Sequence, residues 1–181
     1  MTLERQGIAI VGVSTAVVFA VLAWKFGAGL DLISYSYLAT VGVPLAAIDM
    51  IEQRLPSALV FPSYIVLTVL FATSAVVNSS DRSFVRALVG MVTLAGLYLV
   101  LALSSAGGLG AGDVKLGGLL GLAMAWVGWP ALLAGTLLGW FLALLVVISG
   151  PRREAATDAV IPLGPYLLLG AFFAIVATSP A

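Results

Sequence analysis

Apolar residues fill long blocks of this chain, and polar residues gather in the short gaps between them. A bilayer's hydrocarbon takes roughly 20 apolar residues to cross as a helix. By that measure the blocks predict about seven membrane helices, near 7–24, 32–48, 58–77, 84–103, 114–128, 130–149 and 160–177. The expected fold is all-α: a polytopic transmembrane helical bundle, with residues 1–181 forming a single membrane-embedded domain. The first block follows Glu4 and Arg5, as a signal peptide's would. Its apolar run is long and no small-x-small cleavage site precedes Lys25, so a retained first helix is expected. The fifth block is short and glycine-rich, Leu116-Gly117-Gly118-Leu119-Leu120-Gly121. It predicts close packing on neighbouring helices through small residues rather than contact with lipid.

The gaps carry most of the charge. Glu52, Gln53, Arg54 and Pro56 lie between Asp49 and Ser57, and Arg152, Arg153 and Glu154 lie between Pro151 and Thr157. The stretch from Ser104 to Gly112 is rich in Ser and Gly. With seven segments, Arg5, Arg54, Lys115, Arg152 and Arg153 fall on one side of the membrane, and Lys25, Arg82 and Arg86 on the other. Positive residues favour the cytoplasm, so the N-terminus and both aspartate-bearing connections are expected there. Trp24, Trp126, Trp129 and Trp140 sit near segment ends and read as interfacial anchors.

Composition sharpens the picture. Hydrophobic residues make up 62% and charged residues 9%, with a mean hydropathy of +1.18. A soluble domain is about 25% charged, so the lipid bilayer is this chain's expected surrounding. The net charge is zero and no run of Lys and Arg occurs, which argues against a nucleic-acid partner. The chain has no Cys and no His. That removes disulfides, thiolate nucleophiles and the usual zinc ligands, so zinc and Ser-His intramembrane proteases are excluded. Carboxylate chemistry, a Ser-Lys pair, or no chemistry remains, and no metal or organic cofactor is expected.

Two carboxylates then stand out. Asp113 sits in Gly110-Ala111-Gly112-Asp113-Val114-Lys115 at the mouth of the fifth segment, and Asp49 closes the second in Ala46-Ala47-Ile48-Asp49. A carboxylate beside lipid is expensive and usually has a task. The third and fourth segments between them form a hairpin, so both aspartates are expected on the same membrane face. Two carboxyls sharing a site do not easily both ionise. The charged one can take a proton from attacking water while the protonated one bonds the substrate carbonyl and later protonates the leaving amine. Gly110 and Gly112, lacking Cβ, are expected to let the backbone turn sharply and a substrate strand come close. Lys115 has three roles open to it: lowering a carboxylate pKa, contacting a substrate carbonyl, or reaching lipid headgroups. Asp31, Asp81 and Asp158 read as solvated boundary residues, and Glu52 and Arg54 as loop charges. Spacing alone also leaves open a proton-coupled small transporter, a structural subunit, a peptidase for other membrane helices, and a Ser-Lys protease using Ser104 or Ser105 with Lys115.

Three stretches resemble the membrane domain of the type IV prepilin peptidases, relatives in mechanism of the presenilin-type G-x-G-D proteases. They are Ile48-Asp49-Met50-Ile51-Glu52-Gln53-Arg54-Leu55-Pro56, with Phe61-Pro62 after it; Gly108-Leu109-Gly110-Ala111-Gly112-Asp113-Val114-Lys115-Leu116; and Ile161-Pro162-Leu163-Gly164-Pro165-Tyr166. The resemblance covers about residues 40 to 176. It implies an aspartic-type endopeptidase that removes basic leaders from prepilin or pseudopilin precursors at the cytoplasmic face of the inner membrane, with Asp49 and Asp113 catalytic. It also implies pilus or type II secretion machinery as the wider partners. Many such proteins carry a paired-Cys region associated with N-methylation; this chain has no Cys, so peptidase activity without that module is expected. Some relatives carry a second Asp two residues after the first, where this chain has Ile51, and Ser57 and Val60 also depart from the commoner loop residues.

Overall fold

The structure, a computed structural model, describes residues 2–104, 109–149 and 162–179. Ser105, Gly108, Asp158, Ile161 and the connection holding Arg152, Arg153 and Glu154 lie outside the described residues. Seven helices follow one another: α1 (Thr2–Phe26), α2 (Leu30–Glu52), α3 (Ser57–Asn78), α4 (Asp81–Ser104), α5 (Ala111–Val127), α6 (Trp129–Ser149) and α7 (Gly164–Ala177). Among the described residues four of them, α2, α3, α4 and α6, are long and apolar enough to cross a membrane. Residues 15–26 of α1 and the whole of α7 are apolar but shorter.

The helix limits differ from the hydropathy blocks at two places that matter. The second helix continues past its apolar block to Glu52 and ends when Gln53 turns left-handed (φ 52°), its N–H donating to Asp49 O at 3.0 Å. Asp49 therefore lies in the last helical turn rather than in a loop. The seventh helix starts at Gly164, not near 160, with Pro165 in its first turn. Proline is suited to that place because the N–H it lacks would have no helical partner there.

The short glycine-rich helix is the core of the bundle. Every residue of α5 from Leu116 to Val127 is buried, against α3, α4, α6 and α7. A helix apolar on all sides must be covered on all sides, and its glycines make this possible. A Cβ on Gly121 would run into the carbonyl of Gly90 on α4, and one on Gly117 would meet the ring of Tyr98 at 2.5 Å. Trp126 departs from the expected interfacial place: it is buried in this core and stacks on Phe71 at 4.7 Å. Trp140 is partly exposed, and its indole N–H donates to Tyr98 Oη at 3.0 Å. Trp24 and Trp129 are exposed, as anchors would be.

The last carbonyls of α5 have no partner within their own helix. Arg86 on α4 supplies one: Nε donates to Ala125 O at 2.6 Å, and Nη2 to Trp126 O at 2.7 Å and Val127 O at 3.2 Å. Lys25, at the end of α1, does the same for α7 through Thr178 O at 2.8 Å. At this end of the bundle Asp31 accepts the Ser74 hydroxyl at 2.7 Å. It is thus part of a polar network rather than a boundary residue facing only water.

Candidate active site

The opposite end of the bundle gathers the two aspartates. Helix α5 starts after Gly110, whose backbone is extended (φ −74°, ψ 147°). The Gly110 N–H donates to Asp113 Oδ2 at 3.2 Å. This is the acidic half of a capping box, in which a side chain three residues into the helix reaches back to the residue before it. Gly110, lacking a side chain, answers through its carbonyl, which accepts the Asp113 N–H at 3.0 Å. The negative charge also faces the positive end of the helix dipole. A Cβ on Gly110 would sit 3.3 Å from that carboxylate oxygen, and one on Gly112 would sit 2.8 Å from Leu55 Cβ. Among the described residues Gly27 is the glycine with positive φ. The glycines of this motif therefore serve close packing rather than a sharp turn, and at Gly112 the chain that comes close is the protein's own α2–α3 connection.

Asp49 is 4% exposed, the most enclosed carboxylate among the described residues. Its Oδ2 accepts the Gly164 N–H at 3.0 Å. That N–H belongs to the first turn of α7, where amides have no helical acceptor and point outward. A Cβ on Gly164 would fall 2.7 Å from the same oxygen and 3.5 Å from Leu116 Cδ2. The Asp49 carboxylate thus lies against the start of α7, and Leu116 of α5 packs near the same glycine.

Burial raises both carboxyls above the usual carboxylate range, and the Gly164 N–H opposes it at Asp49. Burial, and after it the negative charge of Asp49, push the Asp113 carboxyl up to about 6, against the opposing hydrogen bond from Gly110. Asp49 at the end of α2 is therefore near enough to Asp113 at the start of α5 for its charge to be felt there. Lys115 is engaged elsewhere. Its ammonium donates to Ser57 Oγ at 2.8 Å and lies 5.1 Å from the Phe61 ring centre. Its carbonyl accepts the Tyr64 hydroxyl at 2.5 Å. Lys115 therefore fastens α5 to α3 by a hydrogen bond and a cation–π contact. The serine it meets is Ser57, while Ser104 stands at the exposed end of α4. Glu52, the last residue of α2, and Arg54, in the connection after it, are exposed charges. Among the described residues no cluster of three or more Asp or Glu side chains is placed to hold a metal ion.

Gly164 and Leu55 are the site residues that spacing did not single out for a role. Proline after glycine at the head of an apolar run is a helix-start signal, and it marks Gly164 as carrying a free N–H. It does not say which acceptor, 115 residues away, that N–H will meet.

A bundle with several helices suited to a bilayer, carrying two carboxylates near one another at one end and neither His nor Cys in the chain, defines a class: multi-pass helical membrane proteins with an enclosed carboxylate pair. The particular group is narrower. The chain belongs to the type IV leader peptidase family, which it matches over residues 36–148, a stretch containing both aspartates. It is 32% identical over 168 residues to a prepilin leader peptidase/N-methyltransferase of Pseudomonas putida, covering 92% of this chain and 57% of that protein. The namesake of Pseudomonas aeruginosa is 31% identical over 176 residues, with the same coverage. That of Klebsiella pneumoniae is 34% identical over 120 residues, covering 66% of this chain and 51% of the relative. The chain spans about half the length of these relatives. No solved structure matches it.

Proposed function

We propose that this protein is an aspartic endopeptidase that cleaves the basic leader from type IV prepilin-like precursors, with Asp49 and Asp113 as the catalytic pair. The observation that carries the reading is their nearness at one end of the bundle, beside the connections between helices. Burial first, and then the charge of Asp49, raise the Asp113 carboxyl, while Asp49 is enclosed and held by the Gly164 N–H. Two carboxyls that resist joint ionisation hold one proton between them. The ionised member takes a proton from water as its oxygen attacks the peptide carbonyl. The protonated member hydrogen-bonds the carbonyl oxygen and then delivers its proton to the departing amine. The pair titrates as a unit, so acid and base are roles of the dyad. The names of the relatives support prepilin precursors as substrates.

The site faces the cytoplasm in this reading, and the bundle lies in the inner membrane as a multi-pass protein serving a pilus or type II secretion system. The charge count supports that orientation. Of the three cations on the opposite side, Lys25 and Arg86 are committed to helix ends. Gly110, Gly112 and Lys115 support the dyad by packing: the glycines admit Leu55 and the Asp113 carboxyl, and Lys115 anchors α5 to α3.

The test is cleavage in liposomes of a prepilin with its basic leader, read as a mobility shift. Asp49→Asn and Asp113→Asn should each lower the rate at least about a thousandfold, with the protein still inserted. Near-normal cleavage by either variant removes the dyad. Cleavage of unrelated membrane helices but no prepilin removes the substrate assignment. Proton flux without cleavage points to a transporter instead.

A further inference from the structure

We propose that the apolar groove between α1, α2 and α7 holds the membrane-buried helix of the peptide being cut, on the side of the scissile bond that remains in the bilayer. The proposal rests on the peptidase reading above and adds where the substrate lies.

The groove encloses about 340 Å³. Its back wall is one stripe of α2, formed by Ala39, Gly42, Val43, Ala46 and Met50, positions that share a helix face. Val18 and Leu22 of α1 form one side, and Pro165, Leu168 and Phe172 of α7 the other. Tyr35 brings the lining's one ionisable side chain, and its hydroxyl is already donated to Ala123 O at 2.8 Å. A polar or charged ligand thus finds nothing in the lining to bind it. Apolar surface is what the groove recognises.

Position decides the occupant. Met50 directly follows Asp49, and Pro165 directly follows Gly164, whose N–H holds the Asp49 carboxylate. The groove therefore runs up to the candidate dyad. At the other face of the bundle Lys25 ties α1 to the end of α7. From Tyr35 to Met50 the wall follows α2 for about 22 Å at 1.5 Å per residue, most of a hydrocarbon layer of about 30 Å. A peptide whose carbonyl is attacked between the aspartates must leave that point into the bilayer, and Met50 and Pro165 offer it apolar groove lining next in sequence to Asp49 and Gly164. Ala39, Gly42 and Ala46 keep the wall low, which lets a second helix approach closely and seat its side chains at helical spacing. A lipid chain or a second copy of this protein has no reason to end at the carboxylates.

The absence of Cys makes the test clean, since any introduced thiol is unique. In the Asp113→Asn protein, built to bind without cutting, Ala39→Cys and Val43→Cys are each paired with single cysteines along the apolar helix of a precursor. Val92→Cys, 65% exposed on α4, is the control. Disulfides should form at both groove positions and not at the control. The partner of position 39 should lie about four residues further along the precursor helix than that of position 43, one turn deeper. Separately, Ala39→Phe with Ala46→Phe should raise KM about tenfold or more while leaving kcat within about twofold. Equal trapping at Val92, or no trapping in the groove with KM unchanged, overturns the proposal and leaves the groove to lipid. Normal cutting by Asp49→Asn overturns the underlying peptidase reading instead, so the two failures are distinct.

Discussion

Lys25 and Arg86 at one end of the bundle, and Asp49 and Asp113 at the other, obey the same rule with different results. Each cation meets carbonyls at the C-terminal end of a helix, and each carboxylate meets an N–H at the N-terminal start of one. All four arrangements match side-chain charge to the helix dipole. At the cationic end, the Arg86 guanidinium lies along α5's last carbonyls and the Lys25 ammonium lies at the end of α7, each serving a different helix. At the acidic end two like charges are brought together and enclosed. Burial and the Asp49 charge hold the Asp113 carboxyl near 6 despite its hydrogen bond. One end uses charge to finish helices; the other sets two charges in conflict, which is the condition under which carboxyl groups exchange protons near neutral pH.

That contrast can be broken most severely at Gly164. Gly164→Ala would put a methyl group 2.7 Å from Asp49 Oδ2, so the carboxylate must move. Cleavage kcat should fall about a hundredfold with KM little changed, measured on a reconstituted prepilin; an unchanged kcat would mean that this N–H does not position the site. The next effect is on pH. The Asp113 carboxyl is protonated below about 6 and ionised above it. A dyad needing one retained proton should therefore lose kcat/KM by about tenfold per pH unit on the alkaline side of that value. A profile flat from mildly acidic to alkaline pH would separate Asp113 from the rate. The smallest effect on chemistry belongs to the other end. Arg86→Met leaves the last carbonyls of α5 without their cation and should cost roughly 1–3 kcal/mol of stability, read by unfolding in detergent, with cleavage by the folded protein unchanged. If activity fell while stability held, the two ends would not differ in the way described.

The elements themselves were legible because their signal is local. Runs of apolar residues predicted seven helices near their observed places, and the glycine content of α5 predicted its burial among neighbours. The resemblance in the stretches around Asp49, Asp113 and Gly164 pointed to the leader peptidase family before any contact was known. Trp126 shows where such reading stops. Its place near a segment end suits an anchor or a core residue equally, and only the Phe71 ring facing it decides which. Lys115 is a second case: three uses were open to it, and the meeting with Ser57, 58 positions earlier, selected a packing role.

The amino-acid order alone determined the membrane-helical class, the limits of most helices, the absence of thiol and imidazole chemistry, and the two carboxylates worth following, because each depends on residue type and on neighbours within a few turns. Tertiary structure decided which free N–H holds Asp49, what closes on Gly112, which cations finish α5 and α7, and that an apolar groove between α1, α2 and α7 reaches Met50 and Pro165. Those outcomes depend on side chains and backbone groups brought together from distant segments, where a shift of one helical turn exchanges every partner.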